Sequence, residues 1–179
     1  LNHKSNQIIK YLNKMNFNST FDFFLEKKPL GTCGGLRLIE KKKLSENIIL
    51  INCDIISGID FVSLLSFHKN NAADITVVTS RKKIKLKYGS IENIGFNMIS
   101  MDEKPEFEFM VNAGIYIINK SCIDFINRNK KLDMPDLLKV LKQKKRKIKI
   151  YPTNEYWFDI GSREDLKSCS NFFDITKSK

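Results

Sequence analysis

Asn47-Ile48-Ile49-Leu50-Ile51-Asn52-Cys53-Asp54 is a run of apolar residues closed by a carboxylate. Apolar residues that continue without alternation suit a strand buried on both faces of a mainly parallel sheet. Residues 74–79 read the same way. Between the two runs Phe61, Leu64, Leu65 and His68 recur at helical spacing. A buried strand, a helix and a second buried strand are the unit from which α/β domains are built.

The pattern continues outward. Ile8, Ile9 and Leu12 predict a helix over 5–14 with Ser5 as its N-cap. A short strand is expected at 22–25. Lys28-Pro29-Leu30-Gly31-Thr32-Cys33-Gly34-Gly35 reads as a Gly-rich turn opening a helix that runs to about residue 42. Residues 88–92 and 96–101 form a hairpin around Asn93-Ile94-Gly95, followed by a strand at 110–119 and a short helix at 121–129. Asp133 is placed to cap a helix with Pro135 in its first turn. A strand at 147–151 and a helix opened by Ser162-Arg163-Glu164-Asp165 in capping-box style complete the series. The expectation is a three-layer α/β fold with a mostly parallel, mixed sheet, residues 1–179 lying within a single domain.

Composition narrows the function. A 42% hydrophobic and 28% charged chain falls in the globular range, so a packed core is expected. No apolar run approaches the roughly 18 residues that would span a bilayer, and the expected setting is the cytoplasm, with no membrane partner. The four cysteines are widely spaced without a CxxC pair or neighbouring histidine, which speaks for reduced thiols rather than zinc. The net charge of +11 raises nucleic acid as a partner. The densest basic run, 142–149, lacks interleaved aromatics and any binding motif, so solvated lysines account for it better. Self-association as a homo-oligomer stays open.

Two carboxylates stand out. Asp54 closes its apolar run, and Asp159 sits in Tyr156-Trp157-Phe158-Asp159-Ile160-Gly161. Such a group needs water, a cation or a metal at its side. Alone, a strand-end aspartate as readily caps the next turn. Together, two of them match the one or two carboxylates with which Mg²⁺ is held beside phosphates. In Asp102-Glu103-Lys104-Pro105 the proline disfavours helix at Lys104 and is expected to hold it extended, its ammonium projecting as a point charge for phosphate.

In order along the chain, LGTCGG, NCD, YG, EKP, VNAGIY and WFDIGS resemble the sugar-1-phosphate nucleotidyltransferase family over residues 29–166. The resemblance implies a Rossmann-like nucleotidyltransferase fold and a reaction in which an NTP and a sugar 1-phosphate give an NDP-sugar and pyrophosphate. It implies Asp54 and Asp159 as ligands of Mg²⁺, and Lys104 as the lysine on the sugar phosphate. Glu103 would accept sugar hydroxyls, Gly89 would let the backbone approach the sugar, and Asn112 would lie in the strand lining the sugar pocket. Gly31 and Thr32 would approach base and ribose. NCDI, DMPDLL and WFDIGS look most like guanylyltransferases acting on mannose or glucosamine 1-phosphate.

The family's Gly-rich loop GGxGTRL and its downstream PK do not occur; Gly34-Gly35-Leu36-Arg37 only echoes them. The chain therefore reads as the C-terminal major part of a catalytic domain, without its first strands and Gly-rich loop, and is expected to transfer little nucleotide alone. The competing reading is a non-catalytic nucleotide-sugar-binding or regulatory module of the same fold.

Overall fold

A computed structural model describes residues 1–15, 17 and 20–177, the last three of these by their backbone alone. The chain runs through α1 (Ser5–Leu12), α2 (Gly31–Gly34), β1 (Asn47–Ile51), β2 (Ile55–Ser57) and α3 (Phe61–Asn70). Then follow β3 (Ile75–Lys85), β4 (Ser90–Ile94), β5 (Asn97–Asp102), β6 (Glu106–Asn119), α4 (Met134–Gln143), β7 (Ile148–Thr153), β8 (Trp157–Asp159) and α5 (Arg163–Lys177).

Four strands form one sheet in the order β1-β6-β3-β7, while β2 pairs with β8 and β4 with β5. Asn52 N donates to Gly114 O at 2.9 Å and Lys120 N to Glu46 O at 2.8 Å, so one index falls as the other rises and β6 runs against β1. The bonds from Asn119 N to Asp74 O and from Leu86 N to Pro105 O give β6 the same sense against β3. The sheet is mixed, with β6 its antiparallel member.

Several expectations are corrected. Strand β1 ends the sheet order, and its Ile49 and Ile51 are 42% and 41% exposed, so it is not buried on both faces. Lys4, at φ 51, holds the N-cap place of α1 without a side-chain cap, and Ser5 is already helical. No strand forms at 22–25, although Phe24 O accepts from the Leu1 ammonium at 2.7 Å and Glu26 N donates to Leu1 O at 2.8 Å. The helix expected to run to residue 42 breaks into the single turn α2 and 3-10 turns at Gly35–Leu38 and Lys41–Lys43. Three glycines within five residues explain this, because each loses more backbone freedom in a helix than any other residue. The helix expected over 121–129 is a 3-10 segment, Lys120–Phe125, capped by the Asn119 side chain accepting from Ser121 N.

The chain divides into two compact units. The first comprises Leu1–Leu50, His68–Thr76 and Ile117–Lys149, and its core includes Leu36, Ile75, Ile117, Ile123, Leu137 and Leu141, all buried. The starts of α2 and α4 cap one another here. Asp133 accepts from Thr32 N at 2.9 Å, and the Thr32 hydroxyl accepts from Met134 N at 2.8 Å. Asp74 and Arg146 form a half-buried ion pair at 2.7 Å.

The same unit buries His68, 2% exposed, with Nδ1 2.8 Å from the Thr76 hydroxyl and Nε2 without a partner among the described residues. Burial holds its pKa below the ordinary value against a smaller opposing pull from Asp74. The unfolded chain therefore binds the proton more readily, and stability rises with pH wherever that difference persists. The melting temperature is expected to be level above about pH 6.5, the free imidazole value, and to fall as pH drops below it. A pH series of thermal melts checks this, and His68→Gln should flatten the slope.

The second unit comprises Ile51–Phe67, Val77–Tyr116 and Ile150–Lys179. Its core holds Ile59, Leu64, Val78, Ala113, Ile115 and Tyr116. Helix α3 starts on Asp60, whose carboxylate accepts from the amides of Val62 and Ser63. Helix α5 is opened by Ser162, whose hydroxyl oxygen accepts from Asp165 N at 3.1 Å as its sequence predicts, while the Asp165 carboxylate accepts from the Ser162 hydroxyl at 2.6 Å rather than from its backbone amide. Phe172 of α5 stacks within 5.2 Å of Phe158 and 5.4 Å of Tyr156, which anchors α5 to β8. Among the described residues no helix is long and apolar enough to cross a membrane.

Candidate active site

Six of the eight site residues read from the sequence fall in the second unit: Asp54, Gly89, Glu103, Lys104, Asn112 and Asp159. Strands β2 and β8 run antiparallel with Ile55 opposite Asp159, and Ile160 N donates to Asp54 O at 2.8 Å. Asp54 and Asp159, 105 positions apart, are thus backbone neighbours. Asp54 lies in the turn before β2, outside the pleat, so strand alternation does not dictate its side-chain direction. Both residues are exposed, and among the described residues neither carboxylate has a hydrogen-bond or ion-pair partner.

A glycine secures this neighbourhood. Gly114 takes φ +70 inside β6, and a Cβ there would meet Asn52 Nδ2 at 2.9 Å and Ile55 at 3.2 Å. Its amide donates to Asn112 Oδ1 at 3.0 Å, while Asn112 Nδ2 donates to the Tyr116 hydroxyl at 2.5 Å. Asn112 is therefore folded over the irregularity in β6, both ends of its amide engaged. Trp157 Nε1 donates to Ala113 O at 2.8 Å, tying β8 to the same point. Asn52, Gly114 and Trp157 position the site without having been singled out from the sequence. They sit inside NCD, VNAGIY and WFDIGS, and their roles come from bonds made across strands.

Gly89, Glu103 and Lys104 form a second group. Ser90 pairs with Asp102 in the β4–β5 hairpin, and a Cβ on Gly89 would lie 3.0 Å from Glu103 Oε2. Lys104 is not extended, as its proline suggested, but left-handed at φ 50. Ser90 faces Asp102 and Leu86 N donates to Pro105 O, so the chain keeps its direction from β5 into β6 and only bends at residues 103–104. Proline disfavours the right-handed helical region for the residue before it, and here the left-handed region makes the bend. The ammonium is exposed, 3.8 Å from Glu103. A non-glycine residue held at positive φ costs of order 1–3 kcal/mol, a strain that gathers at functional positions.

Gly31 and Thr32 belong to the first unit. Gly31 has φ +80, and a Cβ there would meet Asp133 Oδ1 and Leu132 O at 2.6 Å. The Thr32 hydroxyl accepts from Met134 N at the start of α4, and the Thr32 amide donates to Asp133.

The family model of the nucleotidyl transferases matches residues 1–174. The chain belongs to the nucleotidyl transferase family. Among its relatives, a mannose-1-phosphate guanyltransferase of Yarrowia lipolytica is 32% identical over 95% of this chain and 48% of its own length. That of Debaryomyces hansenii is 30% identical over 100% of this chain and 52% of its own. The chain spans about half the length of the curated relatives it matches. HddC from Yersinia pseudotuberculosis, solved in complex with GMP-PN, superposes with a TM-score of 0.72 at 27% identity, over 96% of this chain and 76% of that one. The α/β fold is thus that of the nucleotidyltransferases.

Among the described residues no three of His, Cys, Asp and Glu gather as a metal cluster. Two unpaired, exposed carboxylates still suit a hard divalent cation whose remaining ligands are waters and phosphate oxygens. Chemically, the unit offers such a pair, a cation at Lys104 and a polar rim at Glu103.

Proposed function

We propose that the protein carrying this chain transfers a nucleotidyl group from an NTP to a sugar 1-phosphate, releasing pyrophosphate, with Mg²⁺ held by Asp54 and Asp159. The observation that carries the reading is the β2–β8 pairing, which sets these two carboxyl residues side by side although 105 positions separate them. In such a reaction an oxygen of the sugar phosphate attacks the α-phosphorus and pyrophosphate leaves, so no protein nucleophile is needed. Alignment and charge neutralisation then carry the catalysis. Bound Mg²⁺ supplies a Lewis acid and a template for phosphate oxygens. Lys104 holds the sugar phosphate, Glu103 accepts sugar hydroxyls, Gly89 allows the backbone close, and Asn112 lies in the strand that lines the sugar pocket. Gly31 and Thr32 approach base and ribose; the Thr32 hydroxyl, which accepts from Met134 N, keeps its own proton for donation.

Guanine as base and mannose as sugar are favoured by the named relatives, and guanine also by the GMP-PN complex of HddC. The four cysteines are free, which suits a reducing cytoplasm. Burial pushes the Cys33 thiol up to about 12, removing it from nucleophilic chemistry.

A pyrophosphate-release assay with GTP, Mg²⁺ and mannose or glucosamine 1-phosphate tests the reaction, with turnover expected only when all three are present. Binding of NDP-sugar without turnover on any NTP and sugar pair would instead support the regulatory module. Lys104→Ala is expected to raise KM for the sugar 1-phosphate by about tenfold or more, the worth of a charge-assisted hydrogen bond. KM for the nucleotide should move little. An unchanged sugar-phosphate KM would remove Lys104 from this role.

A further inference from the structure

Arg81, Lys82 and Lys83 are three consecutive cations in the exposed half of β3. Successive strand residues point to opposite faces, and the fold treats the three differently. Arg81 pairs with Glu108 at 3.2 Å and Lys83 with Glu106 at 3.0 Å, both carboxylates belonging to β6. Lys82, on the other face, has no carboxylate partner among the described residues. Its Nζ lies 4.9 Å from the centre of the Trp157 ring. The ring is itself fixed by the bond from Nε1 to Ala113 O.

Lys82 and Trp157 line a cleft of about 490 Å³ together with Phe158, Asp159, Asp165 and Ser168. Most polar groups of this cleft are already engaged. Asp165 accepts from the Ser162 hydroxyl at 2.6 Å, and the Ser168 hydroxyl donates to Glu164 O at 2.9 Å. Asp159 and Lys82 are left without hydrogen-bonding partners among the described residues. An ammonium resting on an aromatic face is held only modestly where water reaches it. It is therefore released readily to an anion that makes charge-assisted bonds.

We propose that Lys82 is a phosphate-binding residue of the site, its ammonium passing from the Trp157 face to a phosphate oxygen of the substrate held beside Asp159. The proposal rests on the assignment of Asp159 to that site and adds a second cation to Lys104. The phosphate belongs either to the sugar 1-phosphate or to the nucleotide, and the experiment separates the two.

Trp157 is the one tryptophan of the chain, so its emission reports on the cleft directly. The full chain is titrated with mannose 1-phosphate and, separately, with GTP, each with Mg²⁺, for the parent protein, Lys82→Met and Lys82→Arg. One ligand is expected to shift the emission of the parent. Its affinity should fall about tenfold or more in Lys82→Met, the loss of one charge-assisted bond, and return toward the parent value in Lys82→Arg, with circular dichroism unchanged. Undiminished affinity for both ligands in Lys82→Met, or equal loss in Lys82→Arg, would overturn the proposal. Full turnover with undiminished binding in Lys82→Met would remove Lys82 alone and leave nucleotidyl transfer standing. Lys82-dependent binding without any turnover by the protein carrying this chain would sustain Lys82 and count against catalysis.

Discussion

Asp159→Asn is expected to lower kcat/KM for nucleotidyl transfer by about 10²–10³-fold, the scale of losing one preorganised charge-stabilising group. The substitution keeps the size of the side chain and the β2–β8 ladder, whose bonds are made by backbone atoms. Stability should therefore stay within about 0.5 kcal/mol of the parent, as for other exposed positions. Asp54→Asn is expected to behave alike. Because one ion would be shared by both carboxylates, the double variant should lose little beyond the worse single one, a non-additivity typical of groups acting as a unit. Steady-state kinetics of the three variants, with melts alongside, make the comparison. Losses that simply add would mean that the two carboxylates act independently.

Gly114→Ala is expected to destabilise the protein by about 2–4 kcal/mol, combining a left-handed backbone penalty with overpacking. The new methyl would meet Asn52 Nδ2 at 2.9 Å, and Asn52 leads into the turn that carries Asp54. Activity should fall along with the melting temperature, which drops about 2–4 °C per kcal/mol in a chain of this size. Gly95→Ala is the control. Gly95 has φ +59 in the β4–β5 turn with nothing within 4 Å of the added Cβ, so only the backbone penalty applies, of order 1 kcal/mol. Equal effects at the two glycines would show that the contact with Asn52 does not matter.

Much of the architecture was legible because apolar period and turn residues are local signals. The β4–β5 hairpin, α4, α5 with its Ser162 cap, and the buried half of β3 all follow from neighbours within a few positions. The misreadings arose where distant parts decide. The apolar run 47–51 looks the same whether a strand is central or terminal, and only the sheet order shows β1 at the end. Proline marks Lys104 as non-helical, but at the bend between β5 and β6 the residue takes the left-handed region rather than the extended one. Ser5 has the chemistry of a cap, yet Lys4 takes that place.

The site divides the same way. Asp54, Asp159, Glu103 and Lys104 sit in short segments whose order along the chain carries a family resemblance. Their mutual placement depends on the β2–β8 register and on the Gly89–Glu103 approach, neither of which is a local property. Lys82 had no signal at all. In sequence it is one of three adjacent cations, and it becomes distinct only once Glu106 and Glu108 have taken its neighbours.

Electron paramagnetic resonance of Mn²⁺, used in place of Mg²⁺ and titrated into the protein with GTP and mannose 1-phosphate, tests the central claim most directly. The account predicts Mn²⁺ binding to the parent protein that weakens by about tenfold or more in both Asp54→Asn and Asp159→Asn, since each removes one of two carboxylate ligands. Parent-like Mn²⁺ affinity in both variants would contradict it.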